Sequence, residues 1–343
     1  MKITSVIFLI VSLVLVFGGF FICKYARGLA PNDAAIDGES IIDGVIENEI
    51  EFSDENITRV SLDLVDCTVT IHGGAKTSYA KLTNFEPNKY IGSVSKKSLT
   101  ISNNISITDY VNLNGSGATF AGVWRTLRSA FLADDDGDRS LDIYISDAEE
   151  IKQLSMTLTN VTLRLVNVSQ ACDVSVNATK STVEFNGMKP ASLKFEGSAS
   201  NISLLSVETP KSSFEMKSGK ISTRKLVSEK TTFELGEVNV NLIESDFESL
   251  EVTLEKGSVD ISTSNSANNF KRSIVTGEGE IKIGKLGDKD SDLESVGMSD
   301  TNKGDTLPGL LNISVKKGDI ALRYGDGIIV PETTPETTPS TNG

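Results

Sequence analysis

The chain has 343 residues, enough for one large or two ordinary domains, with 6% aromatics, a single Trp and 28 Gly, a balance that favours slender repeated layers over one bulky core. Its formal charge of −14 is carried beyond residue 27, since residues 1–27 contain no Asp or Glu. An acidic body of this kind repels phosphate backbones, which argues against a nucleic-acid partner and is read as ordinary solvation.

The first element is apolar. Ile3 to Cys23 is an uncharged run of 21 residues, and at about 1.5 Å per residue it matches the thickness of a bilayer core. Residues 1–27 are therefore expected to be an uncleaved transmembrane signal anchor, with a cleaved signal peptide and a lipidated Cys23 as rivals. Lys24 and Arg27 stand where a small-residue cleavage site is wanted, Pro31 follows the nearest candidate, and Ile22 precedes Cys23. Lys2 against Lys24 and Arg27 is nearly a tie for orientation. The Pro/Thr-rich end of the chain, uncharged except for two Glu, leads us to expect the body outside the cytoplasm. Residues 28–54 read as an acidic juxtamembrane connector.

From residue 55 onward the chain alternates. TRVSLDLVDCTVTIHGG (58–74), KKSLTISN (96–103) and RSLDIYISD (139–147) are strands of period two. Cys67 and Cys172 fall in phase with the apolar set, so buried thiols are expected; a Cys67–Cys172 disulfide stays open. His72, the one histidine, closes a strand before Gly73-Gly74 and has no nucleophile motif around it.

The 116–138 segment breaks the pattern. Phe120, Val123, Trp124, Leu127 and Phe131 lie at helical spacing with Arg125 and Arg128 off that face, which predicts an amphipathic helix. It either covers an open sheet edge of the body or contacts a membrane or partner. Asp134 to Asp138 is similar to a calcium loop but fails the register, because Leu132 would be the first ligand; a solvated loop is expected.

The phrase "alternating apolar, small turn, alternating apolar" then repeats. Anchored on Val161, Val183, Ile202, Ile221, Val238, Val259, Ile281 and Ile320, it recurs at spacings of 22, 19, 19, 17, 21, 22 and 39. The last gap reads as two periods filled by a polar loop at 288–309. A period near 20 with at least eight copies marks a solenoid, in which stacked units bury what one unit cannot. The rival is a meander of hairpins closed into a sandwich. Gly197, Gly219, Gly236, Gly257, Gly279 and Gly318 stand at the turns, where positive φ or close approach is expected. Eight Asn-x-Ser/Thr sequons are ordinary turn chemistry. Residues 329–343 form a Pro/Thr-rich tail, expected to be disordered.

With SFEMKSGKIST (213–223), LEKGSVDIST (254–263) and VKKGDIAL (315–322), the chain resembles the toastrack family, domain of unknown function 4097 (DUF4097), over roughly residues 55–325. The resemblance implies an all-β single-stranded β-helix over 55–328 in a bacterial envelope protein. It also implies a role as an adhesin or as part of a membrane-stress sensing module. No catalytic, cofactor or metal motif occurs, and a non-enzymatic role is expected. The expected protein is a single-pass membrane protein whose partner is an envelope protein or surface polymer. Its alternatives are an accessory stress sensor and a carbohydrate-active β-helix enzyme.

Overall fold

The computed structural model describes residues 40–42, 45–52, 56–85, 90–104, 139–147, 150–168, 171–302 and 307–325. The chain divides into two compact units, Met1–Ile41 and Ile42–Gly343. Of the first, only Ser40 and Ile41 are described. The second is an all-β, solenoid-like sheet. Among the described residues no helix is long and apolar enough to cross a membrane. The 1–27 span, the 116–138 segment and the 329–343 tail lie outside the described residues.

The alternation seen in the sequence becomes burial. In Asp173–Thr179 every second residue points inward (Val174, Val176, Ala178), and the residues between them are exposed. Each coil contributes one strand to a first wall and one to a second, and both walls are parallel ladders. In spatial order the first wall runs Ser98–Ser102, Arg59–Val65, Gln153–Thr159, Asp173–Thr179, Ser192–Ser198 and the leading halves of Glu208–Arg224 and Val227–Ile243. It continues through Asp246–Lys256, Gly309–Lys317 and Phe270–Glu278. The second wall runs Ser140–Ser146, Thr68–Ala75, Thr162–Val166, Thr182–Asn186, Ser200–Leu205 and the trailing halves of the same two long strands. It ends with Val259–Ser262, Ile320–Tyr324 and Ile281–Lys285. Inward side chains stack in columns, such as Phe195, Phe214 and Phe233 in register, with Phe214 and Phe233 ring centroids 4.8 Å apart.

The register corrects the expected spacing. Leu163, Val183, Ile202, Ile221, Val240 and Val259 are the aligned residues, so Val161 and Val238 are each two residues early as anchors. Side chains of neighbouring coils accordingly meet at separations of 20 and then 19 residues. The true period is more regular than the sequence pattern suggests.

The ends correct it further. Gly309–Lys317 pairs with Asp246–Lys256 on one side and with Phe270–Glu278 on the other. The last coil of the chain thus sits between two earlier ones, and Ile320 pairs with both Val259 and Ile281. The 39-residue gap is a return past a cap, not two periods in line. Within 288–309, expected as a polar loop, Glu294–Gly297 and Ser299–Asn302 form strands. They lie antiparallel against Ile281–Lys285 and Phe270–Glu278. The N-terminal end has the same device: Arg59–Val65 lies between Ser98–Ser102 and Gln153–Thr159. Val45–Glu51, inside the expected connector, is a strand that pairs antiparallel with Tyr79–Thr83. Short antiparallel strands therefore close both ends of an otherwise extendable sheet.

The corners are built in two ways. At one corner Asp66, Asn160, Lys180 and Ala199 adopt φ of 53, 54, 52 and 53°, although none is glycine. Each donates its N–H to a neighbouring coil, Asn160 to Thr179 O at 2.9 Å and Ala199 to the Ser218 hydroxyl at 3.1 Å. From Gly219 on, glycine takes over: a Cβ built on Gly257 (φ +140°) would fall 1.9 Å from Val238 O. Gly197 and Gly236 have no positive φ, and the second half of the expectation applies to them: a Cβ on Gly236 would fall 2.4 Å from Lys217 O.

The C-terminal end holds a buried charge. Arg272 occupies an inward position, is 8% exposed, and donates to Asp300 at 3.0 Å and to the Ala267 carbonyl at 2.7 Å. Its guanidinium lies 6.0 Å from the Tyr324 ring centroid. Burial raises the Tyr324 phenol, whose oxygen has no protein hydrogen-bond partner among the described residues.

Candidate functional site

Phe120, Val123, Trp124, Arg125, Leu127, Arg128 and Phe131 lie outside the described residues, as do Asp134 to Asp138. The points where the chain leaves and rejoins the body are described. Asn103 pairs its amide with Val65, accepting from the backbone N–H at 2.7 Å and donating to the carbonyl at 2.7 Å. On the return side the Arg139 carbonyl accepts from Thr68 N–H at 2.9 Å. In the adjacent coil Asp66 and Cys67 alone cross this corner. The insertion therefore replaces a two-residue corner, in the outermost parallel coil of the body.

Cys67 and Cys172 are free and buried, so their disulfide is not formed. Burial pushes the Cys67 thiol up to about 12 and the Cys172 thiol to about 11, which leaves both protonated. His72 lies on the outside of the second wall in a ring stack, 4.8 Å from Tyr144, which is in turn 4.5 Å from Tyr79. Its Nε2 is 3.7 Å from the Asp142 carboxylate. Burial and then the Asp142 carboxylate raise the Tyr144 phenol. Among the described residues no three His, Cys, Asp or Glu side chains are grouped to hold a metal.

The walls themselves carry repeated polar columns. Glu196, Glu215 and Glu234 align in register on the first wall as a carboxylate column. Glu215 and Glu234 are exposed and Glu196 is half-buried. On the second wall Thr68, Thr162 and Thr182 align, and Arg164 donates to Glu184 at 2.9 Å across neighbouring coils.

One concavity interrupts this regular surface. It has a volume of about 480 Å³ and lies at the corner leading into the first wall, with Val227, Glu229, Phe247, Glu248, Asn269 and Phe270 among its lining. Phe247 and Phe270 form an apolar floor, with ring centroids 5.7 Å apart. Asp246 at its side accepts from the hydroxyls of Thr263 at 2.9 Å and Ser264 at 2.8 Å. These residues come from four separate stretches of chain, so no local motif could have announced the site.

Solved structures that are similar include a protein named a "putative lipid binding protein" from Parabacteroides distasonis, 11% identical over 82% of this chain and 96% of that one, with a TM-score of 0.42. A "putative adhesin" from the same organism is 11% identical over 81% and 96%, with a TM-score of 0.44. A "putative adhesin" from Parabacteroides merdae is 7% identical over 81% and 95%, with a TM-score of 0.37. No curated protein matches the chain. The Toastrack DUF4097 family profile matches residues 57–323, the whole stack of coils from its first strand to its last, and the chain belongs to that family.

Proposed function

We propose that this is a non-enzymatic, membrane-anchored β-solenoid protein that presents its outer walls at the cell envelope as an adhesin-like or scaffold surface. The observation that carries the reading is the pair of in-register walls. Single-residue columns such as Glu196–Glu215–Glu234 offer the same group once per coil, at about 4.8 Å per step. Such a lattice suits a partner that is itself repetitive, a surface polymer or a protein array.

In this reading the single-stranded β-helix is held outside the cytoplasm by the 1–27 anchor, and residues 28–54 lead into it. Labelling intact cells with a membrane-impermeant cross-linker tests the proposal. Capture of wall polymer or surface proteins is the expected result. A body that stays unlabelled while a surface control labels rejects the orientation.

A second reading, an accessory sensor of envelope stress, is favoured by the placement of the insertion. Its two ends are fixed at Asn103 and Arg139 on the outermost parallel coil, at one end of both walls. An amphipathic 116–138 helix there would contact a membrane protein through Phe120 and Trp124. Phe120→Asp or Trp124→Asp then abolishes cross-linking to that protein, whereas an adhesin keeps its captured partners.

A further inference from the structure

The concavity at the corner exists because the coils are interleaved. Up to Asp246 this corner is closed by a regular ladder: Glu208 N–H donates to Met188 O, Val227 to Val207 O and Asp246 to Leu226 O, at 2.8–3.0 Å. Above Asp246 the two connections diverge. The chain leaving Val259–Ser262 climbs past the interleaved coil to Phe270 through the short 3-10 turn Ala267–Asn269. The chain entering Gly309–Lys317 arrives instead from the antiparallel cap. Two connections that part at one level leave a crevice between them, the same logic that opens ligand sites where strand order switches in α/β sheets.

We propose that this crevice binds a lysine- or arginine-bearing peptide segment of a partner protein. Its floor is Phe247 and Phe270, and Val227 on the rim is 47% exposed. Glu229, Asp246 and Glu248 contribute three carboxylates, and among the described residues no lysine or arginine lines the space. Glu229 and Glu248 are exposed and have no cationic partner among the described residues. A side chain that is apolar along its stem and cationic at its tip matches a phenyl floor beneath carboxylates. Asn265 and Asn269 add amides able to pair with an extended peptide backbone. A volume of about 480 Å³ admits a few side chains and not a packed helix. The chain's net charge of −14 repels anionic ligands and draws basic ones.

The test uses full-length protein in detergent and the acetylated, amidated peptide Leu-Lys-Leu-Arg, carrying a fluorophore, with Leu-Glu-Leu-Glu as control. The basic peptide is expected to bind saturably below about 1 mM and more weakly as salt rises. The double variant Glu229→Gln/Glu248→Gln should weaken it about tenfold. Val227→Lys, which sets a cation on the rim, should abolish it, and Glu49→Gln in the antiparallel strand Val45–Glu51 should leave it unchanged. No saturable binding, equal binding of the acidic peptide, or indifference to the double variant overturns the proposal. Peptide binding without any surface partner on intact cells would sink the adhesin-like reading and leave this one standing.

Discussion

From Gln153 to Ser262 the order of coils in space is their order in the chain, and at both ends it is not. A middle coil docks on the coil made just before it, nineteen or twenty residues back. Arg59–Val65 and Gly309–Lys317, by contrast, each lie between two strands, one of which is a neighbour only through a detour. The middle shows that a short repeat needs only local closure. The ends show how a stack of identical units is finished: a coil is moved inward, and short antiparallel strands cover what would be an open edge.

The largest test of that difference is Ile313→Asp, which buries an unpaired carboxylate in the interleaved coil, where Ile313 is 0% exposed. A cost on the order of 5 kcal/mol is expected. Amide exchange should accelerate across both 246–262 and 270–285 while 173–224 keeps its protection. If exchange rises only within 309–324, the interleaved arrangement is wrong. Next comes Gly257→Ala, whose Cβ would meet Val238 O at 1.9 Å with φ at +140°. A loss of roughly 4 kcal/mol in denaturant titration is expected, and a loss under about 1 kcal/mol would mean that the coils can spread.

The thiols compare an end coil with a middle one. Both folded pKa values, about 12 for Cys67 and about 11 for Cys172, lie above the ordinary 9.0. The unfolded chain therefore loses these protons first. The stability they contribute is full below pH 9 and is lost as pH rises toward 11 for Cys172 and 12 for Cys67. In a Cys23→Ser background, a thiol reagent at pH 8 should react only with unfolded protein, and the drop in stability above pH 9 should shrink in Cys67→Ala. Rapid labelling of the folded protein would contradict the burial. The smallest effect belongs to the middle corners. Ala199 holds φ of 53°, so Ala199→Gly should raise the melting temperature slightly, by about 0.5–1 kcal/mol in stability. A decrease would show that unfolded-state entropy outweighs the strain.

The alternation, the period and the family resemblance were legible because each rests on residue type at fixed spacing. Two anchors slipped because Val161 and Val238 also point inward, one alternate position ahead of the aligned Leu163 and Val240. The interleaving was not legible at all. LEVTLEKGSVDI, SIVTGEGEIKI and LNISVKKGDIAL carry the same pattern, and Val259, Ile281 and Ile320 share one register, so each unit fits against either of the others. Which pair touches is decided by connection lengths and caps. The left-handed corners at Lys180 and Ala199 were hidden for a similar reason, because neither residue type announces positive φ. The crevice drew on 227–229, 246–248, 265–270 and 308–309, which only the crossed connections bring together.

The interleaved coil also sets how the molecule bears load. Tension applied beyond Tyr324 does not reach the outermost layer of the stack, which would peel away with one ladder lost. It reaches Gly309–Lys317 and Ile320–Tyr324, each hydrogen-bonded along both edges. Rupture must break two ladders together, so the barrier to forced opening is set by the grip of two neighbours. Pulled from its C-terminal side, the body would thus yield last where the force enters it.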